Sequence, residues 1–217
     1  MAFTNPTTPN IADFQSFVLE QGVPTADLPS GALTSVSIDT SGNATAASVT
    51  GTVAAGMALV GLSIPANIYV AIWSGTAGAV APAPTAAVNA ASANAYSPYL
   101  MWAFIGAQSV TLIPPACMPP ILYVMAVYNY GMHKLLKIGQ DQTGQTFFTA
   151  QRTNFNLLSF KAGPVGASAD QATSDTLVTP DFLKGLTMGD LDLLLTPWGR
   201  EYLDYSQQYG PSVVGVS

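Results

Sequence analysis

The chain has 217 residues, which is enough for one compact domain and a smaller second one. Only 8% of the residues are charged, whereas about a quarter are charged in an ordinary globular domain, and this shortage favours a surface that is covered by assembly. The net charge of −6, with only six Lys and Arg residues, argues against ordinary nucleic-acid binding, which needs clustered cations.

The charges that the chain does have are unevenly distributed. No Asp, Glu, Lys, Arg or His occurs between Thr40 and Met132. A single cysteine, Cys117, excludes an intramolecular disulfide and argues against a structural zinc site. The N-terminus lacks the basic and apolar regions of a secretion signal, so no export is predicted. The apolar run over residues 57–80 contains Pro65 and lacks basic flanks, so no membrane-spanning helix is predicted either.

The first predicted element is a short helix that starts near residue 11. Asn10 is a suitable N-cap, and Asp13 suits the first turn. Gly22 is predicted to end this helix. The spacing places four apolar side chains on one buried face: Ile11, Phe14, Phe17 and Val18.

Residues 31–96 have a different composition, dominated by Ala, Gly, Ser, Thr and Val. Short alternating pieces (SVSID, ASVTGTV and NIYVAIW) are separated by turn signals, which predicts several short strands. The alanine- and proline-rich stretch VAPAPTAAVNAASANA that follows is interpreted as a link. The whole region is predicted to be a small β-rich insertion between two helical segments.

Helical periodicity returns at Ser97, which is predicted to cap a helix with Pro98 at its first position. The stretch over residues 119–139 is the strongest predicted helix, and Phe147 opens another that ends before Gly163. The predicted buried stripe of the 119–139 helix consists of Ile121, Met125, Tyr128, Met132 and Leu135, widened by Leu122 and Leu136.

Two segments then start alike, at Thr179-Pro180-Asp181 and at Thr196-Pro197-Trp198, each with a capping hydroxyl and a proline beside it. The second opens a helix that ends at Gly210-Pro211. Its aromatic residues share one face, and Arg200 is placed to pair with Asp204 one turn on. This face is interpreted either as core or as a subunit interface, and its packing candidates are Trp198, Arg200, Tyr202, Tyr205 and Tyr209.

The residue types that carry catalysis are scarce. His133 is the only histidine, and its place near the end of a long helix favours a structural or interface role over that of a general base. Cys117 lies between two proline pairs with no base nearby, which favours a turn residue over a nucleophile. Asp190 and Asp192 are two apart and do not form an acid–base pair on a helix. We predict no catalytic residue, no cofactor and no metal site.

The order of these elements resembles that of a known family. It comprises a short helix carrying ADF, an aromatic-rich helix, the long AVYNYGMHKLLKIGQ helix, the link GPVGASADQATSDTLV and the closing TPWGREYL helix. This series, over residues 8–30 and 97–212, resembles the helical head–tail connector (adaptor, or head-completion) proteins of tailed bacteriophages. The most specific part is the closing motif, carried here by Thr196, Pro197, Trp198, Gly199, Arg200 and Tyr202.

The resemblance implies a mainly α fold with a helical bundle connector domain over residues 1–30 and 97–210. The small β-rich domain predicted over residues 31–96 is a departure from the family and is interpreted as an insertion into that bundle. It implies a homo-oligomeric ring of about twelve copies in the neck of the virion, assembled in the host cytoplasm. The ring would bind the portal protein and a tail-side connector or stopper protein, and duplex DNA would pass through it without specific binding. The C-terminal docking tail, residues 211–217, would contact the portal through Pro211, Ser212, Val213, Val214, Gly215, Val216 and Ser217.

Three other interpretations remain open at this point. A capsid decoration or tail-associated structural protein would act through its β-rich insertion, which the usual compact connector lacks. A hydrolase of host wall polymer would need two of the twelve acidic residues to pair from distant positions. A membrane-associated protein is the least favoured by the sequence.

Overall fold

The computed structural model describes residues 3–4, 6–111, 113–158, 167–169, 174–176 and 188–210. Six α-helices are found in these residues. They are α1 (Ile11–Glu20), α2 (Pro98–Val110), α3 (Pro120–Ile138), α4 (Phe147–Asn154), α5 (Met188–Leu193) and α6 (Pro197–Tyr209). Short 3-10 turns occur at Thr25–Asp27 and Pro115–Cys117.

The strands are short and fall into two sheets. The first sheet contains β1 (Ser30–Ile38), β2 (Asn43–Thr45), β3 (Ser48–Gly51), β4 (Ala58–Val60), β5 (Tyr69–Ser74), β6 (Ala77–Ala81) and β7 (Val88–Tyr96). The second is a separate antiparallel pair, β8 (Ala167–Ala169) with β9 (Ser174–Thr176).

Six strands of the first sheet close into an antiparallel barrel in the order β1-β2-β6-β5-β4-β7, with β7 pairing back to β1. Closure of the barrel uses both edges of β1, since β7 pairs along one edge and β2 along the other. The seventh strand, β3, lies outside the closed ring and pairs with the first half of β1. The register shifts between Leu33 and Val36, where Ser35 has a φ of 47°, so a bulge separates the β3-paired and β2-paired halves.

The interior of the barrel is a core of its own, formed by small and branched side chains. On β7, Ala91, Ala93 and Ala95 point inward while Ser92 and Asn94 are exposed. This alternation with a period of two is that of a half-buried strand. The remaining interior residues are Leu33, Val36, Ile38, Ala44, Ala46, Met57, Leu59, Ile64, Ile68, Val70, Val80 and Val88.

The helices form a second core around α3, against which α1, α2, α4 and α6 pack. Tyr128 lies at its centre, fully buried, with its ring in contact with those of Phe14, Phe17 and Phe104. Its hydroxyl donates to the Asn10 carbonyl oxygen and accepts from the Asn10 amide, both at 3.1 Å. The start of α1 is therefore tied to the middle of α3.

The first and last strands of the barrel lie side by side. Ser30 pairs with Tyr96 at the point where β1 begins and β7 ends. The connection from α1 reaches the barrel at Ser30, and only Ser97 separates Tyr96 from α2. The chain therefore enters and leaves the barrel at neighbouring positions.

The prediction of a mainly α helical bundle is wrong, because the fold is a closed β-barrel with helices. The local sequence does not show that the sheet closes. β2 and β4 have only three residues each, and each has one partner that is distant in sequence, β6 for β2 and β7 for β4. The interpretation of residues 80–95 as a link is also wrong, because residues from Val88 onward form β7, a barrel strand with two partners.

Several predicted helices are confirmed. α1 buries Ile11, Phe14, Phe17 and Val18 as expected and ends before Gly22, which has a φ of 92°. α2 starts at Pro98 and α6 at Pro197, and α3 matches the predicted range within one residue at each end. Two details are wrong: Ile121 is half exposed, and α4 ends at Asn154, leaving Leu158 exposed. The start predicted at residues 179–181 lies outside the described residues.

Two helical glycines provide a matched test of the packing around α3. A Cβ at Gly131 would lie 2.8 Å from the Phe14 ring, whereas a Cβ at Gly106 would meet only the flexible Lys134 stem at 3.5 Å. We expect Gly131→Ala to lower the free energy of unfolding by about 1–3 kcal/mol through overpacking. Gly106→Ala should raise it by roughly 0.5–1 kcal/mol through helix propensity. Urea denaturation of both variants measures the difference, and equal effects would contradict the close contact of α1 with α3.

Candidate functional site

The main polar cluster of the described helices surrounds His133, whose side chain is only 2% exposed. His133 lies on the face of α3 that meets α5 and α6. Its Nδ1 is 2.9 Å from Thr196 Oγ1, and its Nε2 is 3.2 Å from Asp192 Oδ2. Both ring nitrogens therefore have a hydrogen-bond partner on the C-terminal part of the chain.

The position of each proton in this cluster follows from its partners. Thr196 is the N-cap of α6, and its Oγ1 accepts from the Gly199 amide at 2.9 Å. The ionised Asp192 can only accept, so His133 Nε2 carries the ring proton and donates it. Nδ1 is then an acceptor, and the Thr196 hydroxyl donates to it. A neutral imidazole satisfies every one of these bonds.

The charges around the cluster keep His133 neutral and Asp192 ionised. Burial lowers the pKa of His133 below its ordinary value of 6.5, although Asp192 acts in the opposite direction. Burial opposes ionisation of Asp192, but hydrogen bonds from Lys137 and His133 outweigh it and lower the pKa of that carboxyl. Lys137 Nζ lies 2.5 Å from Asp192 Oδ2. The charged pair at neutral pH is therefore Lys137–Asp192, and the contact of His133 with Asp192 is an ordinary hydrogen bond.

A hollow of about 360 Å³ opens beside this cluster, between α3, α5 and α6. Tyr130 and Tyr202 stack in its wall, with ring centroids 4.5 Å apart and planes inclined by 14°. The Lys134 ammonium lies 4.7 Å from the centroid of the Tyr130 ring. In this arrangement His133 has no free ring nitrogen to take a proton from a ligand in the hollow, and the Thr196 hydroxyl is fully buried. The cluster thus holds α5 and α6 against α3.

The aromatic residues of α6 face their own chain to different extents. Trp198 donates from Nε1 to Gln21 Oε1 at 3.1 Å and meets the Phe155 ring edge-on. Tyr202 is buried in a small apolar cluster with Leu193 and Leu203, and Tyr205 and Tyr209 are partly buried against that apolar cluster. Arg200 is exposed. Contact of these five residues with a second subunit stays a prediction.

The remaining predicted sites are the C-terminal tail, Cys117 and the pair of Arg200 and Asp204. The portal-docking candidates, residues 211–217, lie outside the described residues. Cys117 is exposed in the 3-10 turn between the two proline pairs. Asp204 accepts from Gln208 Nε2 at 2.9 Å, and no ion pair between Asp204 and Arg200 is found in this described helix.

Sequence reasoning placed His133 at a helix end but missed its partners. Asp192 is 59 residues away and Thr196 is 63 residues away. The capping motif at Thr196 was recognised, but nothing local shows that its hydroxyl also reaches a histidine. The one sequence signal for this arrangement is the spacing of His133 and Lys137, which places both side chains one helical turn apart, within reach of a single carboxylate.

Within the described ranges, no group of three or more His, Cys, Asp and Glu side chains is placed to hold a metal ion. Of the helices that the structure describes, none is both long and apolar enough to cross a membrane. Comparisons with protein-family models, with curated proteins and with solved structures found no match to this chain.

The His133 cluster predicts how stability depends on pH. Because the folded pKa lies below the unfolded value near 6.5, the unfolded chain binds the extra proton first, so the free energy of unfolding should fall as the pH drops below about 6.5. The slope for one proton is at most about 1.4 kcal/mol per pH unit. Urea denaturation at several pH values between 7.5 and 5 measures it.

The variant His133→Gln is the control, because it removes the only histidine. This variant should be less stable at pH 7.5 but should show little pH dependence over the same window. Equal pH profiles for the two proteins would contradict a buried neutral His133.

Proposed function

We propose that this chain is a structural protein of a tailed-bacteriophage particle: a subunit of a head–tail connector (adaptor) ring that docks on the portal and joins the DNA-filled head to the tail. The resemblance over residues 8–30 and 97–212 supports this function. The closing helix is its most specific part. That helix begins at Pro197, and the side chain of its N-cap, Thr196, accepts the expected capping hydrogen bond from the Gly199 amide.

The observation that carries the proposal is the uncharged surface of the chain from Thr40 to Met132. This stretch includes six of the seven strands of the barrel sheet, all of α2 and two thirds of α3. Its exposed side chains include several large apolar ones: Leu62, Ile72, Trp102 and Ile121. A neutral surface with exposed apolar side chains is typical of a subunit that its neighbours cover. In a ring each copy is covered on two sides.

The overall charge suits a channel for DNA. The net charge is −6, and each copy would contribute it to the wall or the rim of the ring. Negative potential keeps phosphates from binding the wall, so duplex DNA passes rather than adheres.

The barrel favours one alternative, a capsid decoration or tail-associated structural protein. The barrel has a core separate from that of the helices, and it carries the fully exposed Leu62 and the largely exposed Ile72. In that case the barrel would be the part that binds the particle. Monomers or trimers that bind capsid shells and ignore the portal would favour this alternative over the connector.

The first test is assembly on the portal. We expect the full chain to form a closed ring of about twelve copies on portal particles. A chain that ends at Gly210 should keep its circular dichroism spectrum but lose portal binding, because the docking tail is missing. Native mass measurement and negative-stain images of both samples decide the point. Portal binding that survives removal of residues 211–217 would contradict the role of the tail.

The second test concerns the channel. Assembled rings should fail to retain linear duplex DNA at moderate salt, about 0.15 M, since the Debye length there is about 8 Å and repulsion still acts at the wall. Electrophoretic mobility of labelled duplex with and without rings measures retention. A stable DNA complex at that salt would contradict a channel for passage.

A further inference from the structure

α5 and α6 form one unit, which we call the closing unit (residues 188–209). The Thr196 amide donates to the Leu193 carbonyl oxygen in the short turn that joins the two helices. A Cβ at Gly199 would collide with the same Leu193 carbonyl, so the first turn of α6 lies directly against the end of α5. We therefore expect the two helices to move together.

The closing unit packs on the rest of the described chain through a small apolar surface. The cluster that holds it is separate from the core around Tyr128. That cluster has six buried side chains: Ile113, Met118, Ala126, Leu193, Tyr202 and Leu203. Elements with little buried apolar surface open at a lower free energy than the rest of a protein. The polar contacts of the closing unit then decide how firmly it is held.

The buried polar contact between the closing unit and α3 is the hydrogen-bond chain through His133. In the neutral state the Thr196 hydroxyl donates to Nδ1, while Nε2 donates to Asp192. A second ring proton would lie on Nδ1 and would displace the proton of the Thr196 hydroxyl. Thr196 is fully buried, so its hydroxyl would have to find another acceptor inside the protein. The geometry thus accepts an imidazole and opposes an imidazolium.

The added charge would also be unfavourably placed. Thr196 is the N-cap of α6, so an imidazolium at Nδ1 would face the positive end of the dipole of that 13-residue helix. Lys137 already pairs with Asp192, with 2.5 Å between Nζ and the Oδ2 atom that His133 Nε2 contacts at 3.2 Å. Two cations would then share one carboxylate oxygen.

The other groups around His133 do not offset this cost. The titratable side chains that line the adjacent hollow are Tyr130, Lys134 and Lys137 of α3, Asp190 and Asp192 of α5, and Tyr202 of α6. The charged residues of α6 itself are exposed: Arg200, Glu201 and Asp204. The negative end of α3, at Ile138, is more than one turn away. Burial lowers the pKa of His133, Asp192 raises it, and Lys137 and Lys134 lower it further.

We propose that the closing unit is released by a single proton: when His133 becomes an imidazolium, α5 and α6 separate from α3, while the barrel and the other helices stay folded. In the open state water solvates the imidazolium, and Thr196 still caps α6. This inference goes beyond the proposed ring and does not depend on it. Since the end of the chain follows α6 directly, opening would also change what that end can reach.

The pH window of the release follows from the direction of the pKa shift. In the open state the imidazole is solvated and its pKa is near 6.5, whereas in the closed state its pKa is lower. The open state therefore binds the proton first. Closing is fully favoured above about pH 6.5 and weakens as the pH falls below that value. Each pH unit between the two pKa values multiplies the open population by up to about tenfold.

Hydrogen exchange measured by mass spectrometry on the full chain tests the release. Exchange is followed at about pH 7.5, 6.5 and 5.5, and unstructured peptides of the same sequences correct for the chemical pH dependence of exchange. Between pH 6.5 and 5.5 the corrected exchange of the amides of α5 and α6 should rise by up to about tenfold. The amides of α1, α2, α3 and the barrel should show no such rise.

Three variants identify the group that is protonated. His133→Gln cannot take up a proton in this range, so the rise in α5 and α6 should disappear. Lys137→Gln leaves Asp192 to the imidazolium alone, so the rise should become smaller. Lys134→Gln is the matched control, because its ammonium lies over Tyr130 and the change should alter the rise less. The side chain of Lys137 is 40% exposed, so this variant keeps the test valid even if His133→Gln does not fold.

The outcomes separate local release from other events. If exchange rises equally in the barrel and in α1, α2 and α3, the chain unfolds as a whole and the release of a separate unit is wrong. The proposal also fails if α5 and α6 show no rise by about pH 5.5, or if His133→Gln shows the same rise as the wild-type chain. None of these results bears on the ring, which the portal experiments test separately.

Discussion

The burial of Tyr128 is the contact on which the arrangement of the helices depends. A phenol hydroxyl in an apolar core is costly unless it is hydrogen-bonded, and here both its donor and its acceptor capacity are used by the backbone of Asn10. Burial raises the pKa of Tyr128, so the hydroxyl stays protonated and keeps donating. Since Asn10 is also the N-cap of α1, the same contact ties the start of that helix to α3.

The shortage of charged residues and the barrel core of small and branched side chains both reflect the high content of small, neutral residues. Small, neutral side chains suit the interior of a narrow barrel, where alanines on β7 leave room for branched residues opposite them. The same composition leaves few charges for the outside, where many of the exposed side chains are neutral and polar, such as those of Ser92 and Asn94. Most charged residues lie in the helical segments, where they cap helices or join one helix to another. The pair of Lys137 and Asp192, for example, joins α3 to α5.

The sequence predicted the helices better than the strands, and the reasons are physical. α1, α3 and α6 have strong periodicity and local capping signals, such as Asn10 and Thr196, which act within four residues. The barrel depends on pairings between strands far apart in the chain, for example β1 with β7, which no local pattern encodes. The alanine- and proline-rich composition of residues 80–95 predicts a link, although small apolar and polar residues alternate over the part that forms β7. The same limit applies to the His133 cluster. The sequence indicates the N-cap at Thr196, but the hydrogen bond between Thr196 and His133 depends on tertiary packing.

The adjacency of Ser30 and Tyr96 has a mechanical consequence. The chain enters the barrel through β1 and leaves it through β7, two neighbouring antiparallel strands whose backbones are hydrogen-bonded from the first residue pair onward. A force on the barrel is transmitted along the backbone to α1 and α2 at neighbouring positions, and both helices pack against α3. Because the two strands pair at Ser30 and Tyr96, a force that pulls the two ends of the barrel segment apart acts first on this residue pair and not on the other pairings of the closed sheet.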